Sequence, residues 1–211
     1  QTNIALQQVT GDWAFYLQAD EVVHENDLPV IHDAMHCYRE NQTVEGLLFE
    51  FRHFFGSYGY VGASRRWYRR EIRAFKTGLG AQSWGDAQGF RIRGRKLRVK
   101  QVDATIHHYG WVKPPRIQQL KQQNFHKFWH PDNWVDEHVG GESEFDYSNG
   151  GKLVPFQGSH ASVMRDRIQK ENWQFHYDPS KLRQPFKERL LDALEEKTGY
   201  RLGEYKNYEI V

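Results

Sequence analysis

The sequence predicts an α/β domain, a mixed sheet flanked by helices, followed by a mainly helical carboxyl-terminal extension. Three observations predict it. Residues 13–21 form an apolar run that ends in two acids, as when a buried strand sets carboxylates down at its carboxyl end. Strand and helix periodicities then alternate as far as Pro114-Pro115. Beyond that pair the strand pattern gives way to helical spacing. The boundary divides the chain into a domain over 1–115 and an extension over 116–211 packed on it.

Residues 1–10 read as a helix ended by Gly11, with a strand following at once. A helix that feeds a buried strand is the second half of a βαβ unit, so a first strand is expected upstream of Gln1. Asn26 or Asp27 is the expected cap of the next helix, with Pro29 in its first turn. Leu28, Ile31, Met35 and Tyr38 mark that helix's apolar face. Residues 45–55 form a strongly apolar strand, and 56–64 a loop rich in glycine and tyrosine. Residues 65–76 alternate basic and apolar, as in a strand edging a cleft, and 77–90 form a loop with Trp84 and Asp86. Residues 91–106 are strand-like, with the apolar Leu97, Val99 and Ile106 against the basic Arg98 and Lys100.

In the extension, 116–129 predict a basic, aromatic helix, and 130–151 lack periodicity. Residues 159–169 predict a short helix with Val163, Met164 and Ile168 inward. The segment 185–197 predicts a helix with the stripe Phe186, Leu190, Leu191 and Leu194, ended by Gly199.

The chain has 211 residues, and its 29 basic and 27 acidic side chains leave a net charge of +2. That balance disfavours a nucleic-acid partner. A single cysteine, Cys37, precludes an internal disulfide framework and fits a reducing compartment, so the protein is expected in the cytoplasm. No run reaches the length of a membrane span. Seven Trp, eleven Tyr and thirteen Phe suit either a cleft for rings or an ordinary core.

Four constellations carry chemistry. Asp20 offers oxygen to a divalent cation, or is part of a solvated acidic turn; Glu21, one residue on, braces the loop. Asp86 stands among small neighbours, which a general base needs, or is an Asx-turn residue. His107 and His108 close a strand and offer one metal ligand, or two structural rings. In the basic stretch 65–76, arginines such as Arg73 suit diphosphate oxygens, and Glu71 is either their partner or a second candidate base.

In order along the chain, Asn3, Gly11-Asp12-Trp13, Gln18-Ala19-Asp20-Glu21, Asp86, Arg91 and His108 resemble the family 2 glycosyltransferases, in particular a bacterial subgroup with His-Tyr-Gly-Trp after the last strand. Gly158-Ser159-His160 and Gly199-Tyr200-Arg201-Leu202 resemble that subgroup's tail. The resemblance implies a GT-A fold lacking its amino-terminal nucleotide-binding strands. It also implies inverting transfer of a sugar from a nucleotide-diphosphate-sugar donor to a hydroxyl of a glycan, lipid-linked or other acceptor. Asp20 would hold Mg²⁺ or Mn²⁺ with His108 as a further ligand, and Asn3, Gln18 and Arg73 would contact the donor. Asp86, or else Glu71, would take the acceptor proton, and Trp67, Trp84 and Trp111 would stack on sugar rings. Gln18 stands where the family has the first acid of its metal motif, and Gly85 where it has an acid before the base. The alternatives are a non-catalytic module that binds a glycan or a partner, or a metal-dependent phosphoester hydrolase. The aromatic, helical tail would also suit a homodimer.

Overall fold

The computed structural model describes residues 1–85 and 89–211. The chain is mixed α/β. Its helices are α1 (Thr2–Leu6), α2 (Leu28–Cys37), α3 (Pro115–His126), α4 (Asp132–His138), α5 (Arg165–Gln169) and α6 (Phe186–Thr198). Its strands are β1 (Trp13–Phe15), β2 (Glu21–Val23), β3 (Gly46–Phe55), β4 (Tyr60–Gly62), β5 (Arg70–Lys76), β6 (Ala81–Trp84), β7 (Gly89–Ile92), β8 (Leu97–Trp111), β9 (Leu153–Pro155) and β10 (Tyr208–Ile210). They fold into two compact units. One comprises Gln1–Arg52, Tyr68–His107 and Pro185–Val211, the other His53–Trp67 and His108–Gln184. Among the described residues no helix is long and apolar enough to cross a membrane.

In the first unit the strand order is β1-β5-β3-β8, with β2 and β10 also paired to β8. β1 and β3 run antiparallel to β5, and β10 runs parallel to β8, so the sheet is mixed. β3 begins with four consecutive buried residues, as expected of a strand covered on both faces. β8 keeps the predicted alternation, with Leu97 and Val99 buried between half-exposed Arg98 and Lys100. Leu48, Ile72, Phe75, Phe90, Leu97 and Val99 belong to one core cluster. A second gathers Leu47, Phe49, Ala74, Val102 and Ile106, with Ile31, Ala34 and Met35 of α2 packed there.

Several expectations meet a different local structure. The strand expected to deliver Asp20 is only three residues long, and Asp20 sits in a turn between β1 and β2. Asp27 is the N-cap residue of α2 as expected, but its side chain makes no capping bond; its carboxylate accepts the Thr105 amide at 2.9 Å, while the His24 ring accepts from the Asn26 amide just before the helix. β5 is not an edge but lies between β1 and β3. The expected loop over 77–90 contains β6 and runs into β7, and these two strands pair as an antiparallel hairpin. α4 falls in the stretch that lacked periodicity. α6 ends as expected at Gly199, whose φ of 68° suits the left-handed cap. Its stripe faces outward, however, with Phe186, Leu190 and Leu194 exposed. Ion pairs set that orientation: Arg69 grips Glu204 through two bonds of 2.8 Å and reaches Glu195 at 3.3 Å, and Arg201 also binds Glu195.

Glu45, just before β3, is 4% exposed and joins the turn after β7 to the start of β8. Its carboxylate accepts from Arg95 at 2.6 and 2.8 Å and from the Arg98 amide at 2.9 Å. Hydrogen bonds from Arg95 hold its pKa down to about 2 against the opposing effect of burial, and Arg98 adds to them. A depressed carboxyl stabilises the fold above its ordinary value of 4.5, and that stability is lost as pH falls toward 2. Because both arginines are more than a third exposed, solvent screens the pair and the contribution is about 1 kcal/mol. Urea titrations should therefore place Glu45→Gln below the parent at neutral pH, with the gap closing toward pH 2.

The second unit contains the end of β3, which pairs with β4 at Phe54 and Val61, and β4 pairs in turn with β9. Its core is aromatic: Phe55, Trp67 and Tyr147 pack with Leu153, and Trp111, Phe145 and Phe175 pack against them. Gly62 is required where the chain passes Trp67, because a methyl group there would collide with the indole.

Candidate functional site

β5 supplies the ionisable centre of the first unit. Its register with β3 slips between Leu47 and Leu48: Leu48 faces Ile72 and Leu47 faces Ala74, leaving Arg73 as the extra residue of a β-bulge. A bulge re-aims the side chain it carries. The Arg73 guanidinium, 1% exposed, donates to both oxygens of Glu21 at 2.6 and 2.8 Å, while its carbonyl accepts the Tyr16 amide at 2.7 Å. Glu21 is itself 6% exposed and also accepts the Gln18 amide. The guanidinium lies over the rings of Phe51 and Tyr16, 4.7 and 5.5 Å from their centroids. Burial works against its charge, but Glu21 outweighs it and the pKa lies above the ordinary arginine value.

Glu71, two residues earlier on β5, is buried as well. Among the described residues its Oε2 accepts no hydrogen bond. Burial raises its pKa to about 7, although the charges of Arg73 and Arg91 pull the other way. A carboxyl poised near neutrality can accept or release a proton under ordinary conditions, and such groups concentrate at functional sites. A methyl group on Gly89, at the start of β7, would lie 3.4 Å from that oxygen and would collide with the Asn207 amide. The hairpin, β5 and the residue before β10 therefore converge on one buried spot. Arg91 ties them together: it donates to the Asn207 carbonyl at 2.9 Å and to the Tyr205 hydroxyl at 3.3 Å, and lies over the Trp84 ring. Tyr68 borders the group. Burial pushes its phenol pKa up, Arg73 opposes that, and the negative charges of Glu21, Glu71 and Asp20 add to it.

The residues singled out in the sequence divide between the units. The first contains Asn3, Gln18, Asp20, Glu71, Arg73 and Trp84, and the second Trp67, His108 and Trp111. Asn3 sits on α1, where its Oδ1 accepts the Ser83 amide at 2.8 Å, and it lines a cavity of about 640 Å³ with Phe75, Lys76 and Ala81. Asp20 is half-buried in its turn. Trp84 is half-exposed beneath Arg91. In the second unit Trp67 is buried and stacks on His53, with Trp111 edge-on at 6.2 Å. The Nδ1 atoms of His53 and His108 lie 3.1 Å apart. Asp86 lies outside the described residues.

Sequence reasoning singled out Glu71 and Arg73 and gave Glu21 a bracing role, but it did not single out Asn207. Asn207 stands in a short terminal segment, and only the parallel pairing of β10 with β8 carries it to the cluster. No local pattern signals that pairing.

As a single ligand, Asp20 fits a hard divalent cation: it is a carboxylate oxygen donor in a half-buried turn, and such ions complete their shell with water and phosphate oxygens. No protein-family model matches the chain, and no curated protein matches it.

Proposed function

We propose that the chain transfers a sugar from a nucleotide-diphosphate-sugar donor to an acceptor hydroxyl with inversion, on a GT-A-type domain. The observation that carries this reading is the buried group around Glu71, whose carboxyl protonates near neutrality beside the start of β7. The order of the motifs along the chain supports it.

In the reaction a carboxylate takes the proton of the acceptor hydroxyl. The acceptor oxygen then forms its bond to the anomeric carbon as the bond from that carbon to the diphosphate oxygen breaks, and the nucleoside diphosphate leaves with the bonding pair. Asp86 is the proposed base. Glu71 is the second candidate, and its raised pKa suits it to take up the proton. Asp20 would hold Mg²⁺ or Mn²⁺, which when bound offsets charge on the diphosphate. Asn3 and Gln18 would contact the donor. Arg73 would act there through Glu21, keeping the 18–21 turn in place. Trp84, half-exposed, would stack on an acceptor ring.

Calorimetry with UDP- and GDP-sugars in the presence of Mn²⁺ tests the reading. Metal-dependent donor uptake that disappears in Asp20→Asn supports it, and absence of uptake with either class of donor removes it. Asp86→Asn should keep donor affinity and lower turnover by about a hundredfold or more. Unchanged turnover would move the base to Glu71.

A further inference from the structure

α3 reverses the polarity usual for a surface helix. Its buried residues are two glutamines, Gln118 and Gln119, while Ile117 and Leu120 are exposed. The turn that follows adds Phe128 and Trp129, 80% and 58% exposed. Ile117 and Leu120, three residues apart, are neighbours on one side of α3, and Phe128 follows in the turn. The inward side is fastened by polar contacts. Gln119 donates to the Val139 carbonyl, Lys121 donates to the Gly110 carbonyl at 2.9 Å, and the Phe145 amide donates to the Pro115 carbonyl at 3.1 Å. Gln118 is wholly buried, and among the described residues neither atom of its side-chain amide has a hydrogen-bond partner. Burying that amide while exposing Ile117 and Phe128 is unfavourable in water on both counts. The arrangement makes physical sense if the outer side meets something other than water.

Charge identifies the occupant. From His108 to Pro131 the sequence contains no Asp or Glu, but it contains Lys113, Arg116, Lys121 and Lys127. Arg116 and Lys127 are exposed too: Arg116 stands one turn before Leu120 on α3, and Lys127, at the end of the helix, has a solvent-exposed contact of 3.7 Å to Asp132. Bulky exposed aromatic side chains beside exposed Lys and Arg match the boundary between lipid headgroups and acyl chains. With twelve residues, α3 lies on such a surface and does not span it. We propose that α3 and the Phe128-Trp129 turn dock on an anionic bilayer surface. Ile117, Leu120, Phe128 and Trp129 sink into the boundary layer, and Arg116 and Lys127 bind headgroup phosphates. The inference does not depend on the sugar-transfer reading.

Flotation with vesicles of phosphatidylcholine alone, and of phosphatidylcholine mixed with phosphatidylglycerol, provides the test. The protein should float with the anionic vesicles, less so as salt is raised, and stay unbound with the neutral ones. The double variants Phe128→Ser, Trp129→Ser and Arg116→Gln, Lys127→Gln should each lose about tenfold or more in partitioning. Their circular dichroism and thermal midpoints should match the parent, since all four side chains are exposed. No flotation with anionic vesicles, or equal flotation of parent and variants, overturns the proposal. If, in addition, sedimentation shows a dimer that the aromatic variant dissociates, the surface belongs to a second copy of the chain.

Discussion

Replacing Arg73 with methionine should destabilise the protein by about 3–5 kcal/mol, the largest stability effect expected of a single substitution here. Arg73 and Glu21 are both sealed from solvent and bind each other through two short hydrogen bonds. Removing the cation leaves a carboxylate in the interior that keeps only the hydrogen bond from the Gln18 amide among the described residues. That charge must then be held without compensation or neutralised by a proton. Removing both charges together, as in Glu21→Leu with Arg73→Met, should restore most of the loss, because an apolar pair of similar volume avoids desolvating either ion. Urea unfolding of the two single variants and the double variant measures the coupling between them. Additive effects would mean that the pair contributes nothing beyond its separate packing.

A second large effect should appear in the pH dependence of stability. Glu71 titrates at about 7 in the folded protein against 4.5 ordinarily. Between those values the folded state holds a proton that the unfolded state has released, so stability falls as pH rises through this window. Below 4.5 both states are protonated and the group costs nothing. Above 7 the full penalty applies, about 3 kcal/mol for a shift of this size. Glu71→Gln carries no such titration, so the parent should lose about 3 kcal/mol relative to it between pH 4.5 and 7.5. Parallel stability curves for the two proteins would mean that the carboxyl titrates normally. The two predictions are linked: Arg73 is the strongest charge favouring ionised Glu71, so Arg73→Met should move the window to higher pH.

A good part of the framework was legible in the chain. The strongly apolar start of β3, the alternation along β8 and the glycine stop after α6 are local signals, and each is local in the structure too. β5 was legible as a strand because its residues alternate. Its central place was not, since β1 covers the side read as a cleft edge. Asp20 follows a strand of three residues and occupies a turn, because the chain leaves β1 at Tyr16 to hydrogen-bond the bulged Arg73.

The sequence by itself determined which segments alternate, which wind, where Glu71 and Arg73 stand on one strand, and that the stretch around α3 is basic and aromatic. Periodicity gives the sides of a helix or strand but not which of them is buried. Tertiary structure decided that. Arg69, Glu195 and Glu204 turn the apolar stripe of α6 outward, and polar contacts turn the glutamines of α3 inward. It also decided that the Glu21 carboxylate is paired with a guanidinium, whereas among the described residues Oε2 of Glu71 accepts no hydrogen bond. Glu21 meets Arg73 across 52 residues of chain, while Glu71 is enclosed by Gly89 and Asn207, which are distant in sequence. A residue's charge state depends on its neighbours in space, and those neighbours are chosen only when the strands pair.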